Sequence, residues 1–171
     1  MIDRNLQPYD ADGDTKGGRN LAFISAHIMP HIESHCALGY NALDLGAGNG
    51  RFCSLIRHSF GSIVCVEPVD TQHDNFKYPN VTWLKKTLET YVGENPTFVN
   101  IFLIGSFLAL EREYGDKLFP MLERLLFPSG KIFIMVDANQ GHSFESDILV
   151  SSQILVEKDT LLVIMERKCQ Y

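Results

Sequence analysis

The sequence predicts an α/β fold: a doubly wound, mostly parallel seven-stranded sheet with helices on both faces and an antiparallel strand from a C-terminal hairpin. Three observations predict it. Apolar, strand-like runs alternate with segments of helical spacing along most of the 171 residues, and that alternation builds a parallel sheet covered on both faces. The first run stops at a glycine turn, LDLGAGNGRF at residues 43–52, that opens a helix. Near the C-terminus two further runs flank Lys158-Asp159-Thr160, a tight connection suited to antiparallel strands.

The elements follow in order. Residues 1–18, rich in Asp and Gly, read as a flexible acidic arm, and residues 19–171 as a single domain. Across residues 20–37, Leu21, Ile24, Ile28 and Ile32 keep helical spacing, and Pro30 imposes a kink or a restart. Residues 40–45 form a short buried strand. Residues 49–60 follow as a helix with Phe52, Leu55, Ile56 and Phe60 on one face. Residues 62–67 (SIVCVE) and 81–84 are strands. The continuous apolar run TFVNIFLI at 97–104 suits a buried central strand. Residues 116–126 carry Leu118, Leu122 and Leu125 at helical spacing. Strands at 131–137, 154–157 and 161–166 complete the set.

Bulk properties narrow the partners. A chain of this length buries roughly 70% of its unfolded surface and needs no metal or disulfide staple. Its 45% hydrophobic and 21% charged residues suit a soluble globular domain. Cys36, Cys53, Cys65 and Cys169 show no paired spacing and read as reduced thiols of a cytoplasmic protein. The acidic start MIDRNLQPYDADGD is no leader, and no apolar run approaches the ~20 residues that span a bilayer. The net charge is −6 with 15 scattered Lys and Arg. Gripping a phosphate backbone calls for a basic track, so the charge argues against nucleic acid.

Glycines at the end of the first strand permit positive φ and let a ligand approach bare backbone. The N–H groups that start the following helix point into the same space. Asp44 offers a carboxylate beneath them. Glu67 ends the second strand, where an acid accepts from ribose hydroxyls. The dinucleotide fingerprint is G-x-G-x-x-G, whereas Gly46, Gly48 and Gly50 give G-x-G-x-G.

That spacing, preceded by Asp44-Leu45, resembles motif I of class I S-adenosylmethionine (SAM)-dependent methyltransferases. Val64-Cys65-Val66-Glu67-Pro68 resembles the second motif of that family. The passage LLFPSGKIFI at 125–134 resembles its helix–"L-x-P-G-G"–strand passage, and the terminal hairpin resembles its last two strands. The resemblance covers about residues 20–168. It implies SAM as cofactor and S-adenosylhomocysteine as product. Gly46, Ala47 and Gly48 would pack against the methionine part and the ribose. Asp44 would sit near the amino group, Glu67 would bind the ribose hydroxyls, and Pro68 and Val69 would lie against adenine. The family's adenine-binding acid falls here on Lys86 or Thr87, which leaves the backbone of Thr87 and Leu88, or Glu89, for that role. At the exit of the fourth strand, Ile104-Gly105-Ser106-Phe107 replaces the Asp/Asn-Pro-Pro-aromatic box of DNA-base amino methyltransferases. Gly105 and Ser106 would line the cleft, with Ser106 either donating to substrate or capping the next helix.

The activity implied is methyl transfer to a small-molecule acceptor, on oxygen or nitrogen. The rival is a SAM-binding but non-catalytic or partner-dependent subunit; a homodimer or a protein partner is also open. A general base is the least legible part. His27, His31 and His35 recur every four residues and could form a polar helix face, a metal site or a pocket lining; His27 or His31 could then act as base. Asp137, Asn139 and His142 follow the fifth strand, where they could orient and deprotonate an acceptor. Tyr9 could fold over the site from the arm. Asp10, Asp12 and Asp14 start like a calcium loop, but Thr15 and Leu21 occupy the positions that need Gly and Glu.

Overall fold

The computed structural model describes residues 21–69, 78–139, 141, 144, 146–157 and 159–168. Tyr9, His142 and the whole arm at 1–18 lie outside the described residues.

Seven strands form one sheet: β1 (Asn41–Leu45), β2 (Ser62–Val66), β3 (Val81–Leu84), β4 (Phe98–Ile104), β5 (Leu126–Asp137), β6 (Leu149–Glu157) and β7 (Thr160–Arg167). Their order is β3-β2-β1-β4-β5-β7-β6. The pairs from β3 to β5 are parallel, and β7 runs antiparallel to both β5 and β6. The order reverses direction at β1 and β4, so the crevice at their carboxyl ends is the place where such sheets take ligands.

The helical segments are α1 (Leu21–Phe23), a π-turn (Ile24–Ile28), α2 (Met29–His35), α3 (Arg51–Ile56), α4 (Leu88–Val92), α5 (Phe107–Tyr114) and α6 (Leu118–Leu125). The interruption expected at Pro30 is the π-turn. The Met29 N–H reaches back five residues to the Ile24 carbonyl, and Pro30 falls in the first turn of α2, where no N–H is needed. The helix expected over 49–60 is shorter, Arg51–Ile56: Gly50 at φ 93° delays its start, and residues 57–59 leave it as a turn, with the Ser59 N–H donating to the Ile56 carbonyl at 2.9 Å. Strands β5 and β6 each start five residues earlier than the sequence pattern suggested.

Strand alternation divides the core. On one face Leu43, Leu45, Ile101, Leu103, Ile132 and Ile134 pack against α4, α5 and α6. On the other, Ala42, Cys65, Phe102, Phe133 and Ile164 pack against the N-terminal helical segment and α3. Phe102 is the hub there, with ring centroids of Phe52, Phe60 and Phe133 at 5.2, 5.6 and 5.1 Å. Close packing of this kind holds the strand ends, and therefore the crevice, in fixed positions.

Candidate cofactor site

The site is built from three loops at the carboxyl ends of β1, β2 and β4. After Leu45 the chain turns with φ of 67° at Gly46, 57° at Gly48 and 93° at Gly50. Positive φ is costly for any residue with a Cβ. Gly46 meets a second constraint, since a Cβ there would lie 2.4 Å from the Ser106 Cβ. The Gly46 N–H donates to the Val66 carbonyl at 2.9 Å, which anchors the turn on β2.

Glu67 fastens two of these loops. Its Oε2 accepts from the Gly48 N–H at 3.0 Å, and its Oε1 from the Val69 N–H at 3.1 Å. Burial pushes its pKa up, and the two backbone donors oppose that rise. Each carboxylate oxygen has two lone pairs, so both keep room for another donor. Pro68 faces the crevice, and Val69 is exposed beside it.

Asp44 lies on the face of β1 that carries Ala42. It is 2% exposed, and its Oδ2 is buried without a hydrogen-bond partner. Burial first, and the nearby Glu67 charge second, raise its carboxyl from 3.8 to about 7. An orphaned acceptor at the floor of a glycine turn is suited to an incoming cation or N–H donor. The residues therefore fit the adenosyl cofactor that the motifs imply. Asp44 offers an acceptor to an ammonium group, the glycine turn offers close backbone, and Glu67 offers spare lone pairs to a pair of hydroxyls.

Next to the turn, Leu45, Gly46, Val66, Pro68, Lys86, Thr87 and Leu88 line a small slot of about 30 Å³. Leu110, Glu113 and Tyr114 of α5 form its outer wall. Sequence motifs did not single out these three, although the spacing of Phe107, Leu110 and Tyr114 was a usable helical signal. Thr87 caps α4, its Oγ1 accepting from the Thr90 N–H at 3.3 Å. Leu88 is buried in the core beneath the slot. Lys86 pairs with Glu94 at 2.5 Å. A larger cleft of about 350 Å³, lined by Arg57, His58, Phe60, Tyr78, Pro79 and Asn80, sits at the amino ends of β2 and β3. It is on the wrong edge of the sheet for the glycine turn, so the smaller slot is the relevant one.

Ser106 neither caps α5 through its side chain nor points a free hydroxyl at the crevice. Its Oγ donates to the Leu45 carbonyl, because the β4 exit passes directly over the β1 exit. Gly105 is exposed at φ 82° with open space where a Cβ would lie. Ala47 is buried against α3. Phe107 is buried too, with Phe119 and Phe144 rings at 6.2 and 5.4 Å.

The other candidates are scattered. His27 is exposed, its ring 4.8 Å from that of Phe23. His35 bonds back to the His31 carbonyl through Nδ1 at 2.8 Å. The π-turn rotates His27 relative to His31, and no cluster able to hold a metal ion occurs among the described residues. Asp137 closes β5, with Oδ1 accepting from the Asn139 N–H at 2.9 Å in a local turn. Asn139 is exposed.

No family model matches the sequence, and no curated protein matches it. Solved structures do resemble the fold. PH0226 protein from Pyrococcus horikoshii OT3 matches with a TM-score of 0.73 at 16% identity over 96% of this chain and 97% of that one. N-methyltransferase NodS from Bradyrhizobium japonicum matches at 0.64 and 13% identity, over 82% and 92%. A TehB-like SAM-dependent methyltransferase from Corynebacterium glutamicum matches at 0.59 and 18% identity, over 80% and 85%. The chain thus has the class I methyltransferase fold. No described helix is long and apolar enough to cross a membrane.

Proposed function

We propose that this protein is a SAM-dependent methyltransferase acting on a small-molecule acceptor, at oxygen or nitrogen. The observation that carries the reading is the pairing of Glu67 with Gly48 above the orphaned Asp44 carboxylate. Both acids stand at the ends of adjacent strands, where one ligand can meet them together. Ionised Asp44 holds the ammonium of the amino-acid end, and the Gly46–Gly48 backbone lies along the ligand. Glu67 accepts from the ribose hydroxyls while still bracing the turn. Pro68 and Val69 flank the base, and the backbone of Thr87 and Leu88 borders its edge.

SAM supplies an activated methyl group when bound, so the protein's main task is to position the acceptor. Gly105, the one open position at the β4 exit, gives the acceptor room, and Asn139 stands at the rim. His27, His31 and Asp137 are candidates for removing a proton from it, with His142 and Tyr9 as candidates outside the described residues. A cytoplasmic location suits this reading.

Calorimetric titration with SAM and S-adenosylhomocysteine, with NADH as control, tests it. Micromolar binding of both adenosyl ligands and none of NADH supports the proposal. Absence of adenosyl binding to the folded chain contradicts it.

A further inference from the structure

The outer strand of the sheet carries a pattern that the cofactor site does not use. β6 is the last strand in the order, with β7 on one side and no strand among the described residues on the other. It is nine residues long, and from Ile148 to Val156 the sequence reads ILV-SSQ-ILV: an apolar triplet, a polar triplet and the same apolar triplet. No charge and no proline interrupts it. Natural edge strands are normally short, charged, bulged or covered. The opposite edge, β3, obeys that rule, being four residues long and followed by Lys85-Lys86.

We propose that β6 pairs antiparallel with β6 of a second copy of this chain, about a two-fold axis through Ser152. The pattern itself selects this occupant. Turned about Ser152, the strand sets Val150 opposite Ile154, Leu149 opposite Leu155 and Ser151 opposite Gln153. Apolar then meets apolar and polar meets polar on every pair. Opposed positions also fall on the same face of the sheet, as antiparallel pairing requires. Ile154 is already packed against the N-terminal helical layer, and Val150, 46% exposed, would extend that layer across the axis. Ile148, 41% exposed, lies just outside the paired stretch. The pairing of β6 with β7 is regular from Leu149 to Leu155 and is bulged only beyond, so the backbone near the axis is straight enough to pair. Between Ile148 and Val156 a charged peptide would find no side chain of opposite charge. A second copy finds its own sequence, and a two-fold contact closes without leaving a further edge.

The test is the mass of the full chain in solution, by sedimentation or light scattering over a dilution series. Twice 19.3 kDa is expected at the upper end. Ser152→Lys places two like charges face to face on the axis and should halve the mass while the circular dichroism stays native. Thr82→Lys, on the exposed face of the opposite edge, should leave the dimer intact. Should Ser152→Lys not fold, Val150→Glu serves the same purpose at an exposed position. A mass of 19.3 kDa at every concentration overturns the proposal, as does a dimer that survives the folded β6 variant. The measurement needs no cofactor, so its outcome is independent of the proposed activity.

Discussion

Ser106 occupies the space that a side chain on Gly46 would need. Its Cβ lies 2.4 Å from where a Gly46 Cβ would be, and its hydroxyl donates to the carbonyl of Leu45, one residue earlier. The exits of β1 and β4 are thereby locked at the switch point of the sheet. Gly46→Ala must therefore both hold φ 67° and push back the β4 exit. A loss of about 2–4 kcal/mol in denaturant unfolding is expected. Ser106→Gly should relieve part of it, with a coupling of about 1–2 kcal/mol in the double-mutant cycle. Strict additivity would show that the two exits do not press on one another.

Asp44 makes stability and ligand binding respond to pH in opposite senses. Its carboxyl titrates near 7 in the folded chain and near 3.8 otherwise. A raised folded value means that its contribution is most favourable below the unfolded value. That contribution is lost as pH climbs through the folded one, by up to about 4 kcal/mol. Asp44→Asn should thus stabilise the ligand-free protein at about pH 8 and change little near pH 4. The affinity for SAM should rise with pH up to about 7, by at most tenfold per unit, because the cation prefers the ionised carboxylate. Thermal melts and titrations of both proteins across this range check both signs. A parallel pH profile in Asp44→Asn would remove Asp44 from the account.

Glu67 has a structural duty and a proposed binding duty, and two substitutions separate them. Glu67→Ala removes the acceptors of the Gly48 and Val69 N–H groups as well as those for the ribose. SAM affinity should fall by about 1–3 kcal/mol, with a lower melting temperature. Glu67→Gln keeps one acceptor for the turn but loses the charge, so it should retain stability better than affinity. Calorimetry beside a thermal melt reads the two apart. Equal affinity in folded Glu67→Ala would contradict the ribose role.

The strands and the glycine turn were legible because their signals are local. An apolar run such as FVNIFLI and a G-x-G-x-G turn each need only neighbouring residues to be read. All seven strands contain such a run, although β5 and β6 begin five residues before theirs, and Asp44, Gly46 and Glu67 follow from where the first two runs end. What escaped depends on contacts between distant segments. α4 is too short for its pattern to stand out. A helix after Ser106 was expected, but nothing in the sequence tied its face to the β2 and β3 exits, so its Leu110, Glu113 and Tyr114 were not connected with the slot. The hydroxyl of Ser106 looked available because the Leu45 carbonyl that takes it lies 61 residues away. The histidine repeat suggested one face because four-residue spacing assumes an unbroken α-helix, and the π-turn shifts it.

The role of Asn100 was not legible either, since in the sequence it is only a polar interruption in a central apolar strand. It is 0% exposed. Its Oδ1 accepts from the Ala37 N–H at 3.0 Å, and its Nδ2 donates to the carbonyls of Ala37 at 3.0 Å and Asn41 at 3.3 Å. Asn41 in turn accepts from the Val99 N–H at 3.0 Å and donates to the Thr97 carbonyl at 2.9 Å. The two amides thus stitch the segment leading into β1 onto the start of β4, and so fix the register of the pair whose far ends form the site. Asn100→Leu fills the volume but strands the Ala37 backbone groups, so it should cost about 2–4 kcal/mol. Asn100→Asp keeps the acceptor and loses both donations, and should be no better near neutral pH. Hydrogen exchange should then show faster opening at Ala37 and Val99 than at Leu103. Uniform protection with unchanged unfolding free energy would mean that the amide pair is incidental to how β1 and β4 are held.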